Sequence, residues 1–312
     1  LSVVTTSGPG FVLKQEALNL AVVAELPVVV VDVQRSGPST GMPTKTEQGD
    51  LLLALYGRNS DSPMPVLAPT TPGDCFHAIL EAFHLAVRYM TPVVVLSDSY
   101  LANSSEPWLI PDPDSLPRHS VEFAADPESF QPYQRDPGTL ARPWAIPGTP
   151  GLEHRIGGLS KENVTGNVSY DPANAELMAH LRADKVARIA NELPLVEVNG
   201  APRGELLMVG WGSTEGAISS AVEEARSDGL DVSSIHLRYL NPFPSNLGEV
   251  LHGFERILVP ELNMGQLTRL LRAEYLVAAE AFSKLQGQPF KIGELRAAIE
   301  KSLKGKRASG GK

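Results

Sequence analysis

Two short polar segments carry the residue types best suited to chemistry. One is Thr6, Ser7, Gly8, Pro9 and Gly10; the other runs from Arg35 through Ser39, Thr40 and Gly41 to Thr44 and Lys45. A helix start offers free amides and partial positive charge, so a Thr-Ser-Gly-Pro-Gly turn ahead of a helix can cradle an anion. It can equally be a tight turn that lets strand and helix pack closely. On the residues alone the tight turn is the better reading, because the segment completes neither G-x-G-x-x-G nor G-x-x-x-x-G-K. Arg35 is more telling. A guanidinium grips a carboxylate through two parallel hydrogen bonds. Ser39, Thr40 and Thr44 add hydroxyls nearby, and Pro38 and Pro43 stiffen the loop. The alternative is a surface arginine paired with Asp32 or Glu47. The ligand reading ranks ahead, since the loop is rich in donors and follows an apolar strand.

The elements that position these segments alternate. Strands are expected at 1–5, 28–33, 65–68 and 92–97, and helices at 11–26, 46–56 and 72–90. The last has Thr71-Pro72 as a start signal and Phe76, Ile79, Leu80, Phe83 and Val87 at helical spacing. This is a parallel sheet covered by helices. Ligands bind outside the carboxyl ends of such strands, so both polar segments belong to one edge. The first residue is Leu1, inside an expected strand, so the reading expects further strands upstream in a longer polypeptide.

Periodicity is lost from about 103 to 170, with ten prolines between Pro107 and Pro150. Trp108, Phe123, Phe130, Tyr133 and Trp144 argue for a packed arm, because disorder is poor in aromatics. The arm is expected to bury Trp108 and Trp144 against its own domains or a partner. A helix over 172–192 closes a first domain of 1–195. A second α/β domain spans 203–300: strand 206–209, a glycine turn, helix 217–227, strands 232–239 and 256–260 around a short helix at 247–251, and a helix over 265–282. Residues 301–312 read as a basic flexible tail.

Composition narrows the function. A length of 312 residues, 42% of them apolar, suits two domains with real cores. A net charge of −9 argues against nucleic acid. Cys75 is the sole cysteine, which excludes an internal disulfide and an iron–sulfur cluster held by this chain alone, and fits a reducing cytoplasm. No apolar run approaches membrane-spanning length, and the start lacks a basic segment followed by an apolar core, so no signal peptide is expected. Cys75 sits at a helix start, where its pKa can fall, though a structural role is simpler. His77 and His84 read as packing or surface residues. Glu153-His154 lacks a second histidine at metal spacing, so no metal site is expected. No G-x-S-x-G elbow occurs.

The Thr6–Gly10 turn, the helix after it and Pro27-Val28-Val29-Val30 resemble the pyrimidine-binding domain of thiamine-diphosphate enzymes such as acetohydroxyacid synthase. The string VDVQRSGPSTGMPTKTEQGDLLLALYGRN is more specific. With TPVVVLSDSYLANSSEPW, GLEH (151–154), GWGST (210–214) and PELNMGQL (260–267), it resembles the alpha subunit of 2-oxoacid:ferredoxin oxidoreductases, most closely the 2-oxoglutarate type. The resemblance implies a thiamine-diphosphate (pyrimidine) domain lacking its N-terminal strands, followed by a transketolase C-terminal-like α/β domain used mainly in assembly. It implies oxidative decarboxylation of 2-oxoglutarate to succinyl-CoA, with electrons passed to ferredoxin. Arg35 would bind the substrate carboxylate and Thr44 help define the acid, with Ser39, Thr40 and Lys45 alongside; Thr6 to Gly10 would line the cofactor. Lys45, Arg58 and Asn59 are candidates for the second carboxylate. Thiamine diphosphate would be shared with a beta subunit holding the Mg2+ and the iron–sulfur cluster, in an (αβ)2 assembly. The family's Tyr-Pro-Ile-Thr-Pro segment and activating glutamate are absent, so this chain alone would hold half a pocket. An inactive assembly fragment, a pyruvate-type subunit, and a nucleotide- or coenzyme A-binding domain of the ligase kind are the alternatives.

Overall fold

The computed structural model describes residues 1–304. The β-branched start forms β1 (Ser2–Thr6), and the glycine turn opens a short α1 (Gly8–Leu13). A break at Lys14 separates it from α2 (Gln15–Ala24), so the single helix expected over 11–26 is two. Then come β2 (Val28–Gln34) and α3 (Leu51–Tyr56). The helix expected over 46–56 therefore begins only at Leu51. Residues 46–50 form an irregular connector because Gln48 pairs with the second unit: its amide donates to Leu262 O at 3.0 Å and its Oε1 accepts from Leu262 N at 3.0 Å. β3 (Val66–Leu67), α4 (Asp74–Tyr89), β4 (Pro92–Asp98) and α5 (Ser99–Asn103) complete the unit. Helix α4 begins at Asp74 behind Gly73, so the start signal expected at Thr71-Pro72 lies just ahead of it; the Thr71 hydroxyl accepts from the Asp74 amide at 3.2 Å.

The proline-rich arm contains a minimal parallel pair, β5 (Phe123–Ala124) and β6 (Trp144–Ala145), and leads into α6 (Pro172–Arg188), which a 3₁₀ turn extends to Asn191. Within this chain it packs, but not through its tryptophans. Trp108 remains 42% exposed against Phe76, and Trp144 is only half-buried beside Phe123. The anchors are Tyr133, Arg135 and Arg142. Arg135 grips the buried Glu25 carboxylate through two bonds, of 2.5 and 2.9 Å, and Lys185 of α6 approaches it to 2.6 Å. Arg142 donates to the carbonyls of Ala24 and Glu25. A buried carboxylate must be paired. Its cations come from the arm and α6, so ion pairing docks the arm where aromatic burial was expected.

The second unit comprises β7 (Gly204–Trp211), α7 (Glu215–Ser227), β8 (Val232–Leu237), β9 (Tyr239–Asn241), α8 (Leu247–His252), β10 (Phe254–Glu261), α9 (Gln266–Tyr275), β11 (Ala279–Ser283) and α10 (Ile292–Lys304). The helix expected over 265–282 stops at Tyr275, where Leu276 turns left-handed (φ 54°), and Ala279–Ser283 is a strand. The strand expected over 232–239 also divides: β9 leaves its neighbours and pairs antiparallel with β3. Helix α10 is an addition to the expected pattern. It includes Lys301 and Lys304, so that part of the expected flexible tail is helical; residues 305–312 lie outside the described residues.

The first sheet has the order β1-β2-β4-β3-β9 and the second β11-β10-β7-β8, parallel throughout except at β9. Val29, Val93 and Val95 pack on Ala78, Ala82 and Ala86 of α4. Val30, Val94 and Leu96 share one continuous core with Leu207, Val209 and Trp211 of the second unit. Leu206, Met208 and Val232 pack on α7 and α10. The units therefore meet across both a shared apolar core and a shared sheet.

Candidate functional site

Parallel register fixes the edge on which the polar segments sit. Thr6 pairs with Asp32, and Gln34 with Asp98, so the glycine turn, Arg35 and the Asp98–Ser99 corner gather at the carboxyl ends of three adjacent strands. A Cβ on Gly8 would lie 2.7 Å from Asp50 Oδ2, and one on Gly10 2.2 Å from Thr6 Oγ1. Packing within the chain thus accounts for both glycines. Ser7, extended at φ −135°, caps no amide with its hydroxyl, and Pro9 occupies the first turn of α1.

The Arg35 loop closes on itself. Ser36 N donates to Lys45 O (2.9 Å), Met42 N to Ser36 O (2.7 Å) and Gly37 N to Glu47 Oε2 (2.7 Å). Gly37 and Gly41 adopt positive φ, 83° and 48°, as the reversal requires. Glu47 is thus engaged by the backbone. Among the described residues Arg35 makes no ion pair: its Nη2 lies 3.5 Å from Ser39 O, and its Nε is buried without a partner. The surface pairing with Asp32 or Glu47 does not form. Ser39, Thr40, Thr44 and Lys45 are exposed around the loop. Arg58 and Asn59 are not available there. Arg58 donates to the carbonyls of Ala54, Leu55 and Ser62, and Asn59 accepts from Asn19.

Behind the loop runs a buried polar seam that sequence reasoning missed. Gln48 is fully buried and donates through Nε2 to Trp211 O at 2.8 Å. Asn263 donates to Gln48 O (2.7 Å) and to Glu261 Oε1 (3.0 Å); Gln266 donates to Gly49 O. Gly212 adopts φ 57°, and a Cβ there would lie only 2.9 Å from Gln48 Nε2. The quoted strings GWGST and PELNMGQL supply this clamp, and their Glu, Asn and Gln among apolar residues were the available signal. The crevice at the carboxyl edge of the second sheet is filled by the connector of the first. Replacing Gln48 with Ala strands the Leu262 amide, while the Trp211 carbonyl keeps the Thr214 hydroxyl as a donor. It is expected to cost about 1–3 kcal/mol in urea unfolding, one buried unsatisfied group; a loss under about 0.5 kcal/mol contradicts the clamp.

Beneath the Gly8 turn lie two carboxyls. Burial and the neighbouring Asp50 push Asp32 up to about 8, and burial with Glu47 pushes Asp50 up to about 6. Burial also raises Asp98, which accepts from the amides of Tyr100 and Leu101. Cys75 departs from expectation: burial pushes its thiol up, outweighing the helix start. His84 stacks on His119 of the arm at 3.7 Å. Among the described residues no three His, Cys, Asp or Glu side chains are grouped to hold a metal, and no helix is long and apolar enough to cross a membrane. A cleft of about 890 Å³ opens among Leu1, Tyr89, Met90 and Arg142, at the amino ends of the strands and away from Arg35.

Two parallel α/β sheets fused through a polar seam, with glycine and arginine loops on one carboxyl edge, define a mixed α/β protein of the thiamine-diphosphate-binding fold. Residues 1–170 match the family described as pyruvate flavodoxin/ferredoxin oxidoreductase, thiamine diphosphate-binding, and residues 204–295 match pyruvate:ferredoxin oxidoreductase core domain II. The chain belongs to the family of 2-oxoacid:ferredoxin oxidoreductase alpha subunits. It is 54% identical to the 2-oxoglutarate oxidoreductase subunit KorA of Mycobacterium tuberculosis, over 99% of this chain and 47% of that protein. It is 31% identical to the 2-oxoglutarate synthase subunit KorA of Methanothermobacter thermautotrophicus, over 84% of this chain and 69% of that protein. The solved 2-oxoglutarate:ferredoxin oxidoreductase of Magnetococcus marinus, with 2-oxoglutarate, coenzyme A and succinyl-CoA bound, superposes with a TM-score of 0.92 at 34% identity, over 96% of this chain and 53% of that one. The chain spans about half the length of the first of these relatives.

Proposed function

We propose that this chain is the part of an alpha subunit that presents Arg35 to the carboxylate of a 2-oxoacid, in an enzyme that oxidatively decarboxylates 2-oxoglutarate to succinyl-CoA and passes the electrons to ferredoxin. The observation that carries this reading is Arg35 itself: a loop-mounted guanidinium at the carboxyl edge of the sheet, with a buried, unpartnered Nε and no carboxylate paired to it among the described residues. Ser39, Thr40, Thr44 and Lys45 surround the substrate from the same loop. Lys45 is the remaining candidate for the second carboxylate, since Arg58 donates to backbone carbonyls and Asn59 bonds Asn19.

Thiamine diphosphate meets this chain along Thr6, Ser7, Gly8, Pro9 and Gly10, where the free Ser7 hydroxyl and the start of α1 fit one side of it. When bound, that group supplies the decarboxylation chemistry; this chain binds and orients the acid. We assign the diphosphate, its Mg2+ and the iron–sulfur cluster to a beta subunit in an (αβ)2 assembly in the cytoplasm, because one cysteine cannot hold a cluster. Residues 1–195 then form the substrate-facing domain and 203–300 the assembly domain. Val3, Val4, Val12 and Leu13 stand exposed along β1 and α1, an apolar patch of the kind that partners cover.

The test compares pyruvate, 2-oxobutyrate and 2-oxoglutarate with the full complex containing this chain. The expected result is the highest kcat/KM for 2-oxoglutarate. A clear preference for pyruvate overturns the substrate assignment.

A further inference from the structure

Asp32 has no part in binding the acid as assigned to Arg35, yet it is fully buried and among the described residues both its carboxyl oxygens lack a hydrogen-bond donor. Two ionised carboxylates cannot satisfy one another, whereas a carboxyl and a carboxylate can share a proton. Asp32 and Asp50 lie within hydrogen-bond reach of each other. Asp50 in turn lies against the glycine turn: a Cβ added at Gly8 would fall 2.7 Å from its Oδ2. Its amide is held by Gln34 Oε1 at 3.0 Å, and Arg35 is the cation that acts on its carboxyl.

We propose that Asp32 and Asp50 hold one proton between them and act as positioning residues: the shared proton seats the Gly8 turn and keeps the charge facing Arg35 at a single negative. The proposal deepens the Arg35 reading and rests on it. The charged groups around the pair are few. The connector brings Glu47 and β2 ends in Arg35, while β1 and α1 carry no charged side chain. Asp98 on β4 and Glu261 on β10 lie further along the seam and accept from backbone amides.

Loss of the shared proton leaves both carboxyls ionised. The second negative charge then draws the Arg35 guanidinium away from a substrate carboxylate. The pair titrates as a unit, its last proton leaving near 8. The two raised carboxyls bind more protons folded than unfolded, so their contribution to stability is complete at acid pH and is lost as pH rises through that value.

The experiment uses the full complex and its D32N and D50N variants. Infrared difference spectra between pH 6 and pH 9 read the carbonyl stretch of a protonated carboxyl, and KM for 2-oxoglutarate is measured over the same range. The expected result is a protonated-carboxyl band that titrates near pH 8 in the parent and is missing from D32N. KM in the parent should rise roughly tenfold across the titration, what one added charge at about 12 Å gives at an effective dielectric of about 20, and this rise should be flattened in D32N. If D32N fails to assemble, D50N must show the same two losses. Absence of the band at pH 7 overturns the shared proton. A band that vanishes in the variant while the KM rise persists overturns the link to Arg35. The infrared readout is independent of substrate, so its failure is distinguishable from failure of the Arg35 assignment.

Discussion

Replacing Glu25 with Ala is expected to destabilise the protein by about 3–5 kcal/mol, the cost of leaving buried charge without its partner. Glu25 is fully buried and left-handed at φ 50°, at the end of α2. Its carboxylate joins three parts of the chain: α2 itself, Arg135 of the arm and Lys185 of α6. Arg142 and Arg182 stand close enough to add to the positive field. Without Glu25, Lys185 and Arg135 keep only neutral partners for their buried charges, the carbonyls of Met90 and Leu140 and the Met178 sulfur. Arg135 and Arg142 sit on the arm and Lys185 on α6, so repulsion between them should undock the arm before the sheets unfold. Urea unfolding and limited proteolysis together check this. A loss below about 1 kcal/mol, with the arm still protected, contradicts the account.

The same carboxylate sets an acid limit. Burial alone would raise its pKa, but Lys185 and Arg135 outweigh that and hold it at about 2. A depressed folded pKa stabilises fully above the ordinary carboxylate range and loses that contribution as pH falls through the folded value. The Glu25 contribution is therefore intact at pH 5 and disappears toward pH 2.

How much of this was legible in the sequence differs by element. Runs such as Val28–Val31 and Val93–Leu96 announce buried parallel strands, and those strands formed within a residue or two. The carboxyl edge followed from them, so Arg35 and the glycine turn could be placed together. The connector was misread because Thr46 to Leu55 has helical spacing, while Gln48 bonds to a segment more than two hundred residues away. Long-range satisfaction of a buried polar group overrides local periodicity. β9 was absorbed into its neighbour because nothing local distinguishes Tyr239–Asn241 from the end of β8. The arm's anchors were hidden for a related reason. Tryptophans announce burial by type, whereas Arg135, Arg142 and Lys185 read as surface residues until a buried Glu25 is known. Asp32 likewise read as a pairing partner for Arg35, when its neighbour is Asp50.

The second large effect concerns Arg35, on which the functional account turns. Its guanidinium is oriented by a loop closed through Ser36, Met42 and Lys45 and backed by Glu47 and Asp50. Truncation removes a charged contact to the substrate carboxylate worth about 2–5 kcal/mol. Arg35→Lys keeps the charge but loses the two-pronged geometry, so it should recover only part of the loss. A contact made equally in the bound acid and in the transition state appears in KM more than in kcat. The most direct measurement is therefore KM and kcat for 2-oxoglutarate in the full complex carrying Arg35→Ala, beside the parent complex. The account predicts a KM raised by a factor on the order of 10²–10³ with a much smaller change in kcat; an unchanged KM would contradict it.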